Sequence, residues 1–180
     1  MSRMALALLG FCVVISVALV MADEEPQYLG AAGCKTCHKS KKKGDQYGIW
    51  SKGPHAKTYT ELAGAPAKAV AKKAGVEGDP QKEEKCLKCH VTAYGVAKER
   101  LSSKFSIEEG VTCEACHGPG SGYKKTHYKK GKEEDAKKAG FIAKPDAESC
   151  KKCHNEESPT YKEFKFDEKF KHIAHPVPEK

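Results

Sequence analysis

The sequence has no cysteine left over for a structural disulfide. Of its nine cysteines, Cys12 lies in an apolar N-terminal run, and the other eight all occur in four C-x-x-C-H motifs. Exported chains normally place their cysteines in disulfide bridges. The lack of any spare cysteine therefore indicates that the eight motif thiols are taken up by other chemistry.

The chain is also short of apolar residues. Hydrophobic residues make up 39% of the 180, about 70 residues, and 18 of these lie in residues 1–22. About one third of the remaining 158 residues (180 minus 22) is therefore hydrophobic, which is below the usual share of a globular domain. Burial of so few side chains does not offset the conformational entropy of folding. The composition predicts that a bound group supplies part of the apolar interior.

Long hydrophobic runs are absent except at the N-terminus, where Arg3 precedes an apolar stretch from Met4 to Met21. This layout predicts a signal peptide over residues 1–22, cleaved after Ala22, and export of one domain, 23–180, to the periplasm. Membrane contact is expected only if the apolar run stays uncleaved and spans a bilayer. Phe11 stands where a lipoprotein needs a small residue before Cys12, so no lipid anchor is predicted.

The four motifs are CKTCH at 34–38, CLKCH at 86–90, CEACH at 113–117 and CKKCH at 150–154. C-x-x-C-H is the attachment signature of c-type haem: the two thiols add across the vinyl groups, and the histidine binds the iron. The sequence thus predicts four covalently bound haems. The attachment residues are Cys34, Cys37, Cys86, Cys89, Cys113, Cys116, Cys150 and Cys153, and the iron ligands are His38, His90, His117 and His154.

Paired cysteines have two other common uses in proteins. Four C-x-x-C units can form two zinc sites with four thiolates each, but zinc does not require a histidine directly after every pair. A thioredoxin-like redox role needs an α/β frame around a single C-x-x-C, and no segment here has the pattern of a parallel strand. Haem attachment is the interpretation that accounts for all four histidines.

Four histidines remain outside the motifs: His55, His127, His172 and His175. Four spare imidazoles for four irons permit bis-histidine ligation throughout, which suits electron transfer, whereas an iron without a second imidazole stays open to a small ligand. Taken alone, the surroundings of His55 favour a solvated surface histidine, and the lysine-rich stretch around His127 fits a solvated face at least as well as a ligand. Periodicity does not choose between His172 and His175.

Helices are predicted over 56–63, 66–74, 133–139 and 167–174, the last with Asp167 as its N-cap and Pro176 beyond its end. Residues 102–113 predict a short strand or a turn. The spacing of Phe166, Phe170 and Ile173 predicts a buried stripe on the last helix. In the turn after the third motif, Gly118 and Gly120 are expected to adopt positive φ and to approach a porphyrin closely.

Several longer stretches carry a family resemblance. They are GPHAK at 53–57, CLKCHVTAYG at 86–95, GVTCEACHGPG at 110–120, THYKKG at 126–131, ESCKKCH at 148–154 and FKFDE at 164–168. With these motifs in this order, the chain resembles the tetrahaem cytochrome c-554 family, electron carriers that accept electrons from hydroxylamine oxidoreductase. The resemblance runs from about Gly33 to His175.

This resemblance implies a mainly α fold with little strand, in which helices and long loops wrap four closely packed haems. It also implies distal iron ligands: His55, His127 opposite His38, and His175 with His172 as the alternative. In the family the second haem, here on His90, is typically five-coordinate, although the spare histidine would be able to close that iron. The insert SKKKGDQYG, residues 40–48, and the short C-terminal part depart from the family pattern.

The positive charge of the chain is offset by the predicted cofactor. The formal charge of +8 becomes +7 when Arg3 leaves with the signal peptide, and eight haem propionates bring it to about −1 (7 minus 8). Nucleic acid is therefore not an expected partner. Lysines 35, 39, 41, 42 and 43, together with 124, 125, 129 and 130, are candidates for patches that steer an acidic redox partner.

These features predict an exported tetrahaem c-type cytochrome that is an electron carrier between redox enzymes and not itself an enzyme. Two alternatives stay open. An open iron on His90 would permit reduction of a small molecule such as nitric oxide. The chain would also be able to stack into an extracellular haem filament, with His172 lent to a neighbour; the sequence does not define the oligomeric state.

Overall fold

The computed structural model describes residues 25–177, so the predicted signal peptide and Cys12 lie outside the described residues. Nine α-helices lie in this range: α1 Ala31–His38, α2 Gln46–Lys52, α3 Thr58–Glu61, α4 Ala65–Lys73, α5 Glu84–His90, α6 Cys113–His117, α7 Glu133–Lys138, α8 Ala147–Lys151 and α9 Phe166–Phe170. Four 3₁₀ turns, Lys41–Lys43, His55–Lys57, Lys98–Arg100 and Ile107–Glu109, lie between them. The mainly α fold is confirmed.

Strand structure between residues 25 and 177 is limited to one isolated parallel bridge that joins Tyr28 to Leu101. Residues 102–113 contain a turn and the Ile107–Glu109 3₁₀ turn, so the turn prediction is right and the strand prediction is wrong. None of the described helices is long and apolar enough to cross a bilayer.

The ordinary helices follow local sequence signals. Pro66 lies in the first turn of α4, where its missing N–H costs no hydrogen bond. Helix α7 begins with three acidic residues and ends with two lysines, an order that complements the helix dipole. Both helices agree with the prediction to within one residue.

The last helix differs from its prediction. Helix α9 begins at Phe166 and ends at Phe170, with Lys165 as its N-cap, so Asp167 lies inside the first turn. The i, i+4 pair Phe166 and Phe170 stacks at a ring separation of 5.1 Å. Phe166, Phe170 and Ile173 are only half-buried, and all three line a large cavity. The prediction of a buried stripe is wrong because the space they face is not filled by protein.

The protein core of the described chain is very small. Its one buried cluster consists of Leu62, Leu87 and Val91, with Tyr59 and Ala67 packed against it. Helix α3 packs on α5 here, while α1 packs on α2 and α6. The motif helices thus surround interior space that side chains do not fill, in agreement with the composition.

Candidate functional site

Helices position the cysteine pairs. The complete motif lies at the C-terminal end of a helix in α1, α5 and α6, and each of these helices ends at the motif histidine. Cysteines three residues apart on a helix lie on the same side, one turn above the other. In the fourth motif, α8 ends at Lys151, and Cys153 and His154 lie in the following turn.

Three motif histidines each face a histidine from outside the motifs. The ring centroids are 5.9 Å apart for His38 and His127, 6.2 Å apart for His55 and His154, and 5.9 Å apart for His117 and His175. A metal bonded to two imidazole nitrogens at about 2 Å each holds the ring centroids about 6 Å apart. All three pairs therefore have the spacing that a shared metal requires.

Hydrogen bonds to Nδ1 fix which ring nitrogen of three histidines carries the proton. His90 Nδ1 lies 2.9 Å from the Thr58 carbonyl oxygen, and His117 Nδ1 lies 2.6 Å from that of Ile142. His127 Nδ1 lies 3.1 Å from the Tyr123 carbonyl oxygen. A carbonyl oxygen only accepts, so Nδ1 carries the proton and Nε2 is the unprotonated nitrogen, which is the form that binds a metal.

In the first motif, a side-chain amide oxygen takes the place of the backbone carbonyl that holds the Nδ1 proton. His38 Nδ1 lies 3.2 Å from Gln46 Oε1, and the Gln46 amide in turn donates to the Pro176 carbonyl oxygen at 2.9 Å. The C-terminal segment that carries His175 is thereby tied to the site of His38. Sequence reasoning missed Gln46 and Thr58, because a hydrogen bond to an amide or a backbone carbonyl leaves no pattern in the sequence.

Burial favours the neutral form of the paired imidazoles. It is the main cause that lowers the pKa of His55, with a smaller contribution from the charge of His154. Burial also lowers the pKa of His117 and of His154. Because only a neutral imidazole binds a metal, these surroundings keep the three rings ready as ligands.

Among residues 25–177, His90 differs from the other three motif histidines because no second histidine ring faces it. It lines a cavity of about 1,490 Å³ together with His55, His154 and His172. This volume exceeds the roughly 300–1,000 Å³ of an ordinary small-molecule site. Cysteines of the second, third and fourth motifs line the same cavity: Cys86, Cys89, Cys116, Cys150 and Cys153.

Attachment cysteines of different motifs are neighbours. Cys34 lies next to Cys113, and Cys89 lies next to Cys153, close enough in each case for one thiol to shift the pKa of the other. Cys116 lies close enough to Cys150 and Cys153 for their charges to interact. Burial raises the pKa of Cys153 to about 12, so this thiol is held protonated. The contacts place the four motifs in the spatial order first, third, fourth, second.

A buried carboxylate joins the first and third motifs. Glu114, inside the third motif, is 2% exposed. It accepts hydrogen bonds from the backbone N–H groups of Leu29 at 2.8 Å, Gly30 at 2.8 Å and Gly120 at 2.7 Å. Burial raises the pKa of Glu114, and these three N–H donors oppose that shift. The carboxylate fixes the start of α1 against α6.

The Gly-Pro-Gly turn has only part of its predicted geometry. Gly118 has φ +81°, and a Cβ there would collide with the Gly140 carbonyl oxygen, so glycine is required. Gly120 does not adopt positive φ, and the prediction is wrong for this residue. Its missing side chain makes room for Glu114 and Leu29 instead, because a Cβ would lie 2.9 Å from Glu114 Oε1.

The cysteine and histidine donors, the unprotonated Nε2 atoms and the large cavity all fit c-type haem. Each cysteine pair lies next to an imidazole whose proton is held on the far nitrogen or whose pKa is lowered, and three imidazoles have an opposed partner at the spacing a shared metal needs. In residues 25–177, no three His, Cys, Asp or Glu side chains converge as a site for a bare metal ion. His172 borders the cavity but is exposed, whereas His175 faces His117.

Comparison with known proteins gives two matches. Residues 33–118 match the family described as cytochrome c554 and c-prime. The chain is also 30% identical over 146 residues to a curated protein of Nitrosomonas europaea named cytochrome c-554, and the match covers 74% of this chain and 60% of the relative. The chain thus spans less than two thirds of that relative's length. No solved structure matches significantly.

Proposed function

Because this chain belongs to the cytochrome c-554 family, we propose that it is an exported electron carrier that holds four covalently attached c-type haems. When bound, each haem supplies an iron that takes up and releases one electron. The observation that carries the proposal is the set of three opposed imidazole pairs at 5.9–6.2 Å. Two imidazoles per iron favour electron transfer over ligand binding.

The residues of the chain would divide the work as follows. The eight motif cysteines would form the thioether links, and His38, His117 and His154 would bind iron. His127, His175 and His55 would supply the second imidazole, in the same order. Gln46, Ile142 and Tyr123 hold ring protons on Nδ1 and so orient the imidazoles; such hydrogen bonds also raise the basicity of the ligand and tune the potential.

The neighbouring cysteines support an electron path that visits all four sites. The first motif adjoins the third through Cys34 and Cys113, and the fourth adjoins the second through Cys153 and Cys89. Cys116 links the two pairs. The path would end at the first motif on one side of the molecule and at the second motif on the other, as a carrier between a donor and an acceptor requires.

The haem content is tested by mass spectrometry of the protein purified from a host that matures c-type cytochromes. We expect the polypeptide from residue 23 onward to carry the added mass of four haems, and Cys150→Ser with Cys153→Ser to carry three. Absorbance of the reduced protein, compared per mole of chain, is the matched measurement. Bare polypeptide, or a colourless solution, contradicts the proposal, and an uncleaved N-terminus contradicts the signal peptide.

One observation favours a second function at the second motif. His90 faces a large cavity, and no histidine ring between residues 25 and 177 opposes it, so an iron bound there would keep one coordination position open. A small molecule such as nitric oxide would be able to bind and to be reduced at that site.

The second function is tested by magnetic resonance of the oxidised protein. We expect one high-spin and three low-spin haems, and we expect only one haem to change its spectrum when nitric oxide is added to the reduced protein. The variants His38→Met and His117→Met should leave that response in place, since they alter other sites. Four low-spin haems in the wild-type protein would exclude an open position on His90.

A further inference from the structure

Two segments of the chain are rich in lysine and contain no acidic residue. Residues 30–44 contain five lysines, and residues 115–132 contain five more, without a single Asp or Glu in either segment. The ten are Lys35, Lys39, Lys41, Lys42, Lys43, Lys124, Lys125, Lys129, Lys130 and Lys132, and all of them are exposed. Lys132 forms an ion pair with Asp135, which lies just beyond the second segment.

The fold brings these two segments together at one site. His38 ends α1 in the first segment, and His127 lies between the lysine pairs of the second segment. Because the two rings face each other at 5.9 Å, lysines approach the first motif from both sides. Lys35 contacts the ring of Tyr47, and Lys129 contacts that of Tyr128, which keeps both ammonium groups near the surface. We call this set of ten residues the lysine face.

The first motif is also the one that reaches the surface. Cys37 is exposed, whereas the other seven motif cysteines are intermediate in exposure. A haem attached at Cys37 would therefore have its linked edge at the lysine face. The cavity beside the second motif is different, since its lining mixes Lys85, Lys88 and Lys152 with Glu61, Glu157 and Glu163, and Lys88 pairs with Glu157.

We propose that the lysine face is the docking surface for a redox protein that carries an acidic patch around its own electron-transfer centre. The inference rests on the proposed function, and it specifies which end of the electron path binds the acidic partner. Complementary charge mainly raises the association rate and orients the partner, which is what a transient electron-transfer complex needs. The overall charge of the mature protein with four haems is about −1 (7 minus 8), so the attraction is local.

Small redox probes of opposite charge test this inference on the whole protein. The reduced protein would be oxidised in a stopped-flow instrument by ferricyanide, an anion, and by tris(phenanthroline)cobalt(III), a cation, from 0.01 to 0.5 M salt. We expect the rate of oxidation by ferricyanide to fall at least about threefold as the salt concentration rises. The slightly negative overall charge alone would predict the opposite, a rate that rises with salt. The cobalt reaction should not slow with salt.

Two fourfold variants remove equal charge from different places. Lys42→Gln, Lys43→Gln, Lys129→Gln and Lys130→Gln together neutralise part of the lysine face. Lys68→Gln, Lys72→Gln, Lys73→Gln and Lys82→Gln neutralise exposed residues on and after α4, beside the second motif. We expect the first variant to lose most of the salt dependence with ferricyanide and the second to retain it.

Several results would overturn the inference. Equal effects of the two variants would show a response to overall charge, and a larger effect of the α4 variant would place the docking surface at the second motif. The protein could instead bind phosphatidylglycerol vesicles only while the lysine face is intact, with ferricyanide rates that the first variant leaves unchanged. That result would assign this face to a membrane. In each case the attached mass and the absorbance of the same samples report separately on the proposed function.

Discussion

Replacing His175 with alanine is expected to convert one low-spin haem to high spin, whereas His172→Ala leaves the spin states unchanged. The reason is geometric: His175 faces His117 at a centroid distance of 5.9 Å, and His172 is an exposed residue at the border of the cavity. Loss of an opposed imidazole opens a coordination position on the iron. Magnetic resonance of the oxidised proteins measures the change.

A second substitution at the same residue separates ligation from folding. His175→Met keeps a ligand at this position but replaces a nitrogen with a thioether, and a histidine–methionine pair has a higher potential than two histidines. We expect one haem potential to rise by on the order of 0.1–0.3 V, within the roughly 0.8 V range that axial ligands cover. If His172→Ala gives the high-spin signal and His175→Ala does not, the assignment of the two histidines is reversed.

Replacing Glu114 with glutamine is expected to lower the free energy of unfolding by about 2–3 kcal/mol, because a buried charged acceptor of three backbone N–H groups is lost. Glutamine has the same shape, but only one of its two terminal atoms is an acceptor oxygen. Its NH2 group, a donor, would face backbone N–H groups, which are donors too. Unfolding in guanidinium, followed by far-ultraviolet circular dichroism, measures the loss. The substitution keeps C-x-x-C-H intact, so haem attachment itself should continue.

Glu134→Gln is the matched control for this loss. Glu134 lies in the first turn of α7 and is exposed, so the same change should alter the free energy of unfolding by less than about 0.5 kcal/mol. Equal stability of the two variants would mean that Glu114 does not hold α1 against α6. A loss confined to Glu114→Gln would identify this carboxylate as the main polar link between the first and third motifs.

The sequence predicted the helices that depend on local signals. Pro66 and the flanking glycine define α4, and the charge order defines α7, so both were predicted to within one residue. Helix α9 was placed too far toward the C-terminus, because Asp167 is a common N-cap residue and the structure uses Lys165 instead. The apolar stripe of this helix was wrongly predicted to be buried. The spacing of apolar residues shows which side of a helix is apolar, but it does not show what that side packs against.

The motifs themselves, with their cysteines and proximal histidines, are local features and follow from residue order alone. The opposed pairs do not, because His38 and His127, or His55 and His154, are separated by about 90 to 100 residues and meet only through the packing of other segments. The resemblance suggested His127 for His38; the partners of His154 and His117 came from the structure. Glu114 was missed altogether, because a charged residue within a motif gives no sign of its burial.

By itself, then, the sequence determined the number of attachment motifs and the shortage of apolar side chains, because covalent spacing and composition need no fold to be read. Only the tertiary structure decided which imidazoles oppose each other, which cysteines of different motifs are neighbours, and that two distant lysine-rich segments meet at His38 and His127. These are distances between residues far apart in the chain, and such distances depend on how the whole chain closes around its interior.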